Sequence, residues 1–430
     1  MSSKEQKESS KAISKSSRED YRSHINGIID DMADAEATGN TREITRLVKS
    51  LGGKVSQPSP MPSKDLNGDP IVSSEKLLKE WNTFLSAKFA PPLIDQDMEL
   101  ETTVCQEDHL EDEELLSCLN GLSDSKAPGA DNLPIEAYKY SPTARDELFR
   151  IVKLIWDTEI VPNDIVQGIF IMLYKKKDRN DFRNYRAICL LCHAYKLLSA
   201  VIAKRLSLQL QPILPDSQAG FRPARGTRDN VCILKWTIDM LISESKPAVI
   251  TFIDYTAAFD TVSHKFLDQA LSSAGISSKL RRVVQSIFHA ASGCVRITRP
   301  DGCQETSESF SISRGVLQGD IFSPVAFITG LMHIFKAHDT KDSGVTVGSE
   351  SCQVTVHSLE YADDAGLIDT TVEQASARIS AISSGSKNDA SMEISIPKTK
   401  VTHVHRKVRV SETTGEEIAS MGFQERLPRL

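Results

Sequence analysis

The sequence predicts an α+β fold built around a mostly antiparallel sheet. Three observations carry that expectation. Segments with apolar residues at helical spacing occupy the first third of the chain, as in "SSEKLLKEWNTFLSAKF" at 73–89. From residue 168 onward, short apolar runs alternate with helical segments. Two stretches, "GCVRITRPDG" with "ESFSISRG" and "VTVHSLEYADDAGLIDTT", fold back as hairpins, and strands joined that closely run antiparallel.

The elements follow in order. Residues 1–17, "MSSKEQKESSKAISKSS", have no apolar core and predict a disordered tail. Residues 18–119 read as a helical N-terminal extension, with Tyr21, Ile25, Ile28, Ile29 and Met32 on one helical face and Ile44, Leu47, Val48 and Leu51 on another. Within it, 52–72 is rich in Pro, Gly and Ser and reads as a linker. The helix at 73–89 is capped at its start. Residues 95–117 hold ten acids and no Lys or Arg, which read as a solvated loop and helix start. "KAPGADNLPIEAYKY" at 126–140 is a loop entering a short helix, and 144–162 is a helix ended by Pro162. "GIFIMLYKKKDRNDFRNYRAICLL" at 168–191 reads as a strand, a charged tip and a second strand or helix entry. "AICLLCHAYKLLSAVIA" at 187–203 and "QGDIFSPVAFITGLMHIFKAH" at 318–338 read as buried helices. "AVITFIDYTAAFDTVSHKFLDQAL" at 248–271 is an apolar strand running into a capped helix, and "MEISIPKTKVTHVH" returns to strand.

Composition places the chain among soluble globular proteins, with 25% charged and 40% hydrophobic residues over 430 positions. There is no secretory signal, and Lys, His, Ser or Pro interrupts every long apolar stretch, so neither a membrane partner nor export is expected. The expected location is intracellular, in cytoplasm or nucleus. The net charge of −7 argues weakly against a nucleic-acid partner, but residues 174–230 hold twelve bases against four acids. Such a local patch, more than the total, governs affinity for phosphates. Among eight cysteines the one close pair is Cys189 and Cys192 in "CLLC". With no second pair and no spaced histidines, two thiols packing inward from a helix is the preferred reading over a zinc site.

The chain holds two Asp-Asp pairs, and context separates them. Asp30 and Asp31 fall mid-helix without a basic partner set and read as surface charges. Asp363 and Asp364 fall at the tip of a hairpin between apolar strands. Asp254 ends another apolar strand, "VITFID". If these strands pair in one sheet, three carboxylates meet at one edge. Hard oxygen ligands in that number suit Mg²⁺ or Mn²⁺, and two such ions clamp the attacking and leaving oxygens of a phosphoryl transfer. Without cations, repulsion would raise the carboxyl pKa values, so a metal-free structural role is the costly reading.

The series "LYKKKDRNDFRNYRAICLL", "SQAGFRPARGTRDN", "FIDYTAAFDTVSH", "RGVLQGDIFSP", "EYADDAG" and "ISIPKTK" resembles the reverse transcriptases of non-LTR (LINE-type) retrotransposons in order and spacing. The resemblance covers roughly 120–405 and implies a right-hand polymerase fold. Fingers would span 120–246 and palm 247–405, within a reverse transcriptase domain of about 155–425. By the same resemblance, Asp254 and Asp363 are the two shared metal ligands, Asp364 the adjacent acid, and the backbone carbonyl of Tyr255 completes one metal shell. Phe259 stands where the family has its steric gate against a 2′-OH, although core packing is an equal reading. Asp260 reads as a helix N-cap or local hydrogen bonder. Gln318 and Gly319, with Gly315, would sit against the incoming nucleotide. Arg186 and the Lys175–Lys177 tip would hold the triphosphate, with a solvated surface as the alternative for each lysine. Arg222 and Arg225 would follow template or primer backbone. Lys398 would protonate leaving pyrophosphate or bind phosphate. The implied cofactors are two Mg²⁺ ions, with Mn²⁺ as substitute. The implied partners are an RNA template with DNA primer and dNTPs.

The sequence departs from that pattern in places. Ala187, Cys189, Ser391 and Ser395 replace the usual Pro, Ser, Gly and Asn, and none of these is a metal ligand. No endonuclease block precedes 120, and 406–430 reads as a C-terminal remnant too short for a thumb. The expectation is a fragment of a polyprotein that normally carries both modules. Two other functions compete: a catalytically inactive remnant that binds RNA through its basic fingers, and a palm polymerase copying RNA into RNA. Phe259 argues against the latter.

Overall fold

The computed structural model describes residues 26–27, 29–38, 40, 61–92, 109–299, 302–340 and 343–404. The tail, the helical face at 44–51, the first part of the linker, most of the acidic run and the remnant 406–430 lie outside the described residues. The chain divides into two compact units, residues 1–60 and 61–430. In the first, residues 29–37 are helical and Asp30 and Asp31 are exposed, as surface charges should be.

The second unit begins earlier in structure than its sequence suggests. Residues 61–72, expected as linker, form a tight turn. Lys64 bridges Pro70, and the Asp65 carboxylate accepts from Asn67 N at 3.0 Å and Asp69 N at 2.8 Å. Ser63 N donates to Asn180 Oδ1 at 3.0 Å, which ties this turn to the charged tip at 178–180. Helix α1 (Ser74–Lys88) starts at Ser73, whose hydroxyl accepts from Lys76 N. Its Trp81 is fully buried, with ring centroids 4.3 Å from Phe182 and 5.0 Å from Tyr185. Leu115 and Leu119 of α2 (Asp112–Gly121) enter the same core. The apolar faces of α1 and α2, which fall within the expected N-terminal extension, thus contribute to the main hydrophobic core.

Helix α3 (Pro142–Thr158) stops before Pro162, with Glu159 left-handed at φ 58 and its carboxylate accepting from Arg282 Nη2 at 2.8 Å. Strands β1 (Gln167–Tyr174) and β2 (Tyr185–Leu190) form the expected antiparallel hairpin. The single buried helix expected at 187–203 is in fact the end of β2 followed by α4 (His193–Leu210). Cys189 is on the strand and Cys192 is the cap residue, so the two thiols pack inward from different elements. A short apolar run does not distinguish buried strand from buried helix, and pairing with β1 decided it.

Beyond α5 (Thr227–Ser243) come β3 (Ala248–Ile253), α6 (His264–Ser273) and α7 (Ser278–Ala290). Strands β4 (Ser292–Thr298), β5 (Gln304–Thr306) and β6 (Phe310–Ser311) precede α8 (Ser323–His338). The chain continues through β7 (Val345–Ser349), β8 (Cys352–Val356), β9 (Ser358–Tyr361), β10 (Asp364–Asp369), α9 (Val372–Ala390) and β11 (Lys400–Val404). One sheet runs β2-β1-β4-β5 with β6 on β4, and its β1/β4 pair is parallel. A second, antiparallel throughout, runs β11-β3-β10-β9, and β7 pairs β8 separately. The fold is thus α+β with mostly antiparallel pairing.

Strand β3 is apolar along nearly its whole length because both faces are covered. Ile253 joins the main core, whereas Ile250 and Ile368 join a smaller one with Leu241 of α5 and Val345, Val347 and Val356 of the β7–β8 hairpin. No helix among the described residues is long and apolar enough to cross a membrane.

Candidate active site

Strand register assembles the carboxylates. Ala365 pairs with Ile253 in the antiparallel β10/β3 ladder, so the next step outward sets Asp364 opposite Asp254. Asp364 also pairs with Tyr361, leaving Ala362 and Asp363 as a two-residue hairpin turn. Ala362 takes φ 57, a left-handed conformation that costs a non-glycine residue energy and persists only where the surroundings impose it.

Those surroundings come from "SQAG", a stretch to which the sequence alone assigns no site residue. Gln218 is buried, and its Oε1 accepts from Ala362 N at 3.0 Å and Gly220 N at 2.8 Å. The main chain joins in: Ala219 N donates to Glu360 O and Glu360 N to Ser217 O, both at 2.8 Å. A Cβ on Gly220 would lie 2.2 Å from Ala362 N, so only glycine permits this approach. The Asp-Asp turn is therefore held by a segment more than a hundred residues earlier in the chain.

Electrostatically the site has an excess of negative charge. Burial, then the neighbouring Asp364 and Asp254 charges, raises the Asp363 carboxyl above its usual range, with Lys398 opposing. Burial and Asp254 raise Asp364 in the same way. Lys398 Nζ donates to Asp254 Oδ1 at 2.7 Å, and Ser395 N donates to Asp254 O at 2.7 Å. Among the described residues no group of three His, Cys, Asp or Glu side chains is placed to hold a metal ion. The expected meeting of three carboxylates is thus an alignment of backbone positions and charges, with the Lys398 ammonium on one of them. Hard oxygen donors whose carboxyls are raised first by burial and then by neighbouring negative charge fit a divalent cation.

The turn after β3 carries the other candidates. The Tyr255 ring is buried, its hydroxyl lies 3.0 Å from Ser386 Oγ, and burial pushes its pKa up to about 12. Phe259 is half-buried and stacks on Phe327 at 4.3 Å with 20° between planes, so core packing accounts for one face of its ring. Asp260 caps no helix: Ala257 occupies the cap position of the short helix Ala258–Thr261, and Asp260 pairs with Lys88 at 2.7 Å. The correction follows from tertiary packing, which brings α1 alongside.

The 314–320 loop docks on this turn. Val316 N donates to Phe259 O at 2.6 Å and Gly315 N to Val262 O at 2.7 Å. Buried His264 bonds Gly315 O at 2.7 Å and stacks on Phe288, and burial drops its pKa to about 4. Gly315 and Gly319 do permit close approach, but to the chain itself: added Cβ atoms would fall 2.6 Å from Asp260 O and 2.7 Å from Cys189 O. The Gln318 carbonyl accepts from Cys189 N at 3.0 Å, which ties this loop to β2. Asp320, which the sequence does not single out, is buried and accepts from Ser199, Ser323 and Ile321 N.

Cations flank the site. Arg186 on β2 is exposed, and Lys175 follows the end of β1. Partial desolvation, then the charges of Arg186 and Lys88, lowers the Lys175 pKa. Arg222 is not free along the surface. Its guanidinium donates to Pro215 O at 2.7 Å, Gln218 O at 3.2 Å and Gln211 Oε1 at 3.2 Å, so it braces the loop that carries Gln218. Arg225 pairs with Asp216 at 2.7 Å on the surface.

An antiparallel sheet with acids at its edge beside a cationic hairpin fits the polymerase fold that the sequence resemblance implies. Residues 174–424, more than half the chain, match the family described as Reverse transcriptase (RNA-dependent DNA polymerase), and the chain belongs to that family. Proteins similar to it include products of retrotransposable elements and transposons. The Pol polyprotein of retrotransposable element R2 from Popillia japonica is 28% identical over 258 residues, 60% of this chain and 34% of that protein. The probable RNA-directed DNA polymerase from transposon BS of Drosophila melanogaster is 27% identical over 232 residues, 50% of this chain and 24% of that one. The transposon TX1 149 kDa protein of Xenopus laevis is 22% identical across 70% of this chain and 24% of its own length. The chain thus spans about a quarter to a third of these relatives' length. Reverse transcriptases as a family use divalent metal ions.

Proposed function

We propose that this chain is an RNA-directed DNA polymerase that adds dNTPs to a primer 3′-hydroxyl on an RNA template. The observation that carries the reading is the register that sets Asp364 opposite Asp254, with Asp363 in the clamped turn beside them. Asp254, Asp363 and Asp364 would hold two Mg²⁺ ions, or Mn²⁺, which when bound activate the primer hydroxyl and neutralise leaving pyrophosphate. Lys175 and Arg186 contact the triphosphate, Arg through its planar fork and Lys as a point charge. Phe259 presents its ring to the sugar and excludes a 2′-OH. Gln318 and Gly319 face the nascent base pair. Lys398, on Asp254 before substrate arrives, transfers a proton to the leaving pyrophosphate or stays charged and binds its phosphates. Arg225, and the loop braced by Arg222, contact template or primer backbone.

Primer extension on poly(rA)/oligo(dT) with Mg²⁺ or Mn²⁺, with Asp363→Ala as control, tests this. Incorporation by wild type alone is expected. Equal incorporation by both, or none by either, would sink the reading, and a preference for rNTPs would favour an RNA-making palm. Phe259→Val is expected to lower the preference for dNTPs over rNTPs by roughly ten- to a hundredfold, read as the ratio of kcat/KM values.

A further inference from the structure

We infer that Lys88, at the end of α1 and outside the family-matched segment, is a positioning residue for nucleotide selection: its ion pair with Asp260 anchors the turn that carries Phe259. The inference rests on the polymerase reading above, and on Phe259 as the residue that senses the sugar. Lys88 Nζ lies 2.7 Å from Asp260 Oδ2, with side-chain exposures of 24% and 14%, so the pair is largely withdrawn from solvent.

The turn needs an anchor. Ala257 enters it at φ 51, a left-handed conformation unfavourable for alanine. Backbone bonds restrain it from within, Asp260 N to Ala257 O at 2.9 Å, and from the 314–320 loop through Val316 N to Phe259 O at 2.6 Å. The Lys88 pair is the side-chain tie from a third direction. Lys88 is itself held: Arg314 Nε donates to its carbonyl at 2.8 Å and Ser313 N donates to Phe89 O at 3.0 Å. Phe89 is buried against Phe170, with centroids 5.6 Å apart. One strap thus connects α1, the 313–316 loop and the Phe259 turn.

Phe259 discriminates by position, and the ring must stand within a few tenths of an ångström of where a 2′-OH would clash. Phe327 stacks on one face of that ring and Phe221 meets it edge-on at 6.2 Å, while the backbone of the turn sets how far it reaches. Removing Lys88 leaves Asp260 half-buried without its counter-ion, and the carboxylate turns outward to water or toward Lys175, carrying Phe259 with it.

The test compares dNTP and rNTP incorporation by wild type, Lys88→Met, Lys88→Arg, Asp260→Asn and the double variant Lys88→Met/Asp260→Asn. Lys88→Met is expected to lower the dNTP-to-rNTP ratio of kcat/KM by about fivefold, with Lys88→Arg restoring most of it. Asp260→Asn should lower the ratio similarly, and the double variant should fall no further than either single one. A role confined to stability would lower the melting temperature and slow both nucleotides alike, and an unchanged ratio overturns the inference. Wild type that extends no primer overturns the polymerase reading and this role with it. Wild type that extends while Lys88→Met keeps the wild-type ratio overturns this role alone.

Discussion

Asp363→Asn is expected to abolish primer extension while making the metal-free protein more stable. The substitution preserves shape and removes one charge. If Asp363 holds catalytic metal, the rate falls by on the order of 10³-fold, about 4 kcal/mol of barrier. Stability moves the other way because folding raises the Asp363 carboxyl, through burial and through Asp364 and Asp254. The folded state holds the proton more tightly than the unfolded chain, so the ionised group opposes folding above the raised pKa. That penalty is full at neutral pH and is relieved as pH falls through the raised pKa toward the ordinary carboxylate value of about 3.9. Asp364 contributes in the same direction. Asp363→Asn should therefore raise the melting temperature by a few degrees at neutral pH and have progressively less effect on acidification. Added Mg²⁺ should stabilise wild type more than the variant. Thermal melts across pH, with and without Mg²⁺, check each part, and a variant that loses stability at neutral pH contradicts the electrostatic account.

Gly220→Ala is expected to disable the site without touching a carboxylate. The new methyl would lie 2.2 Å from Ala362 N and 3.0 Å from its Cα, both backbone atoms that cannot swing aside. Either the Asp-Asp turn or the 217–221 segment must move. The expected cost is about 2–3 kcal/mol of stability, typical of overpacking in a tight core. Activity should fall by about a hundredfold, because a displacement near 1 Å spoils alignment of reacting groups. Gln218→Ala should reproduce much of this by another route, since it leaves the N–H groups of Ala362 and Gly220 without their acceptor at a cost of about 1–3 kcal/mol each. Urea melts and primer extension measure both. Wild-type activity in Gly220→Ala would show that the turn tolerates the shift.

These two expectations differ in how much the amino-acid sequence alone could supply. The acids were legible because their signals are local. An apolar run ending in Asp254 reads as a strand, and Asp363–Asp364 between two such runs reads as a hairpin tip. Side-chain period and turn spacing depend on neighbours a few residues away. The capped start of the helix at 73–89 was legible for the same reason, and Ser73 caps it. Family resemblance ordered those blocks and attached roles to them.

What remained hidden involves partners distant in sequence. Gln218 gave no local sign that its amide would hold Ala362, a contact made across 144 positions. Arg222 looked available to a phosphate, and only folding showed its fork committed to Gln211 and Pro215. Lys88 carried no assigned role, and Asp260 read as a cap or local hydrogen bonder, whereas packing brings the two to 2.7 Å. Cys189 and Cys192 read as one helical pair until β1 claimed the first for a strand. By itself the sequence determined which residues could do chemistry and which local element each one ends. Tertiary structure decided which groups hold those elements still. Local conformation follows from short-range sterics and periodicity, whereas the choice of hydrogen-bond or ion-pair partner is set by which surfaces the whole core brings together.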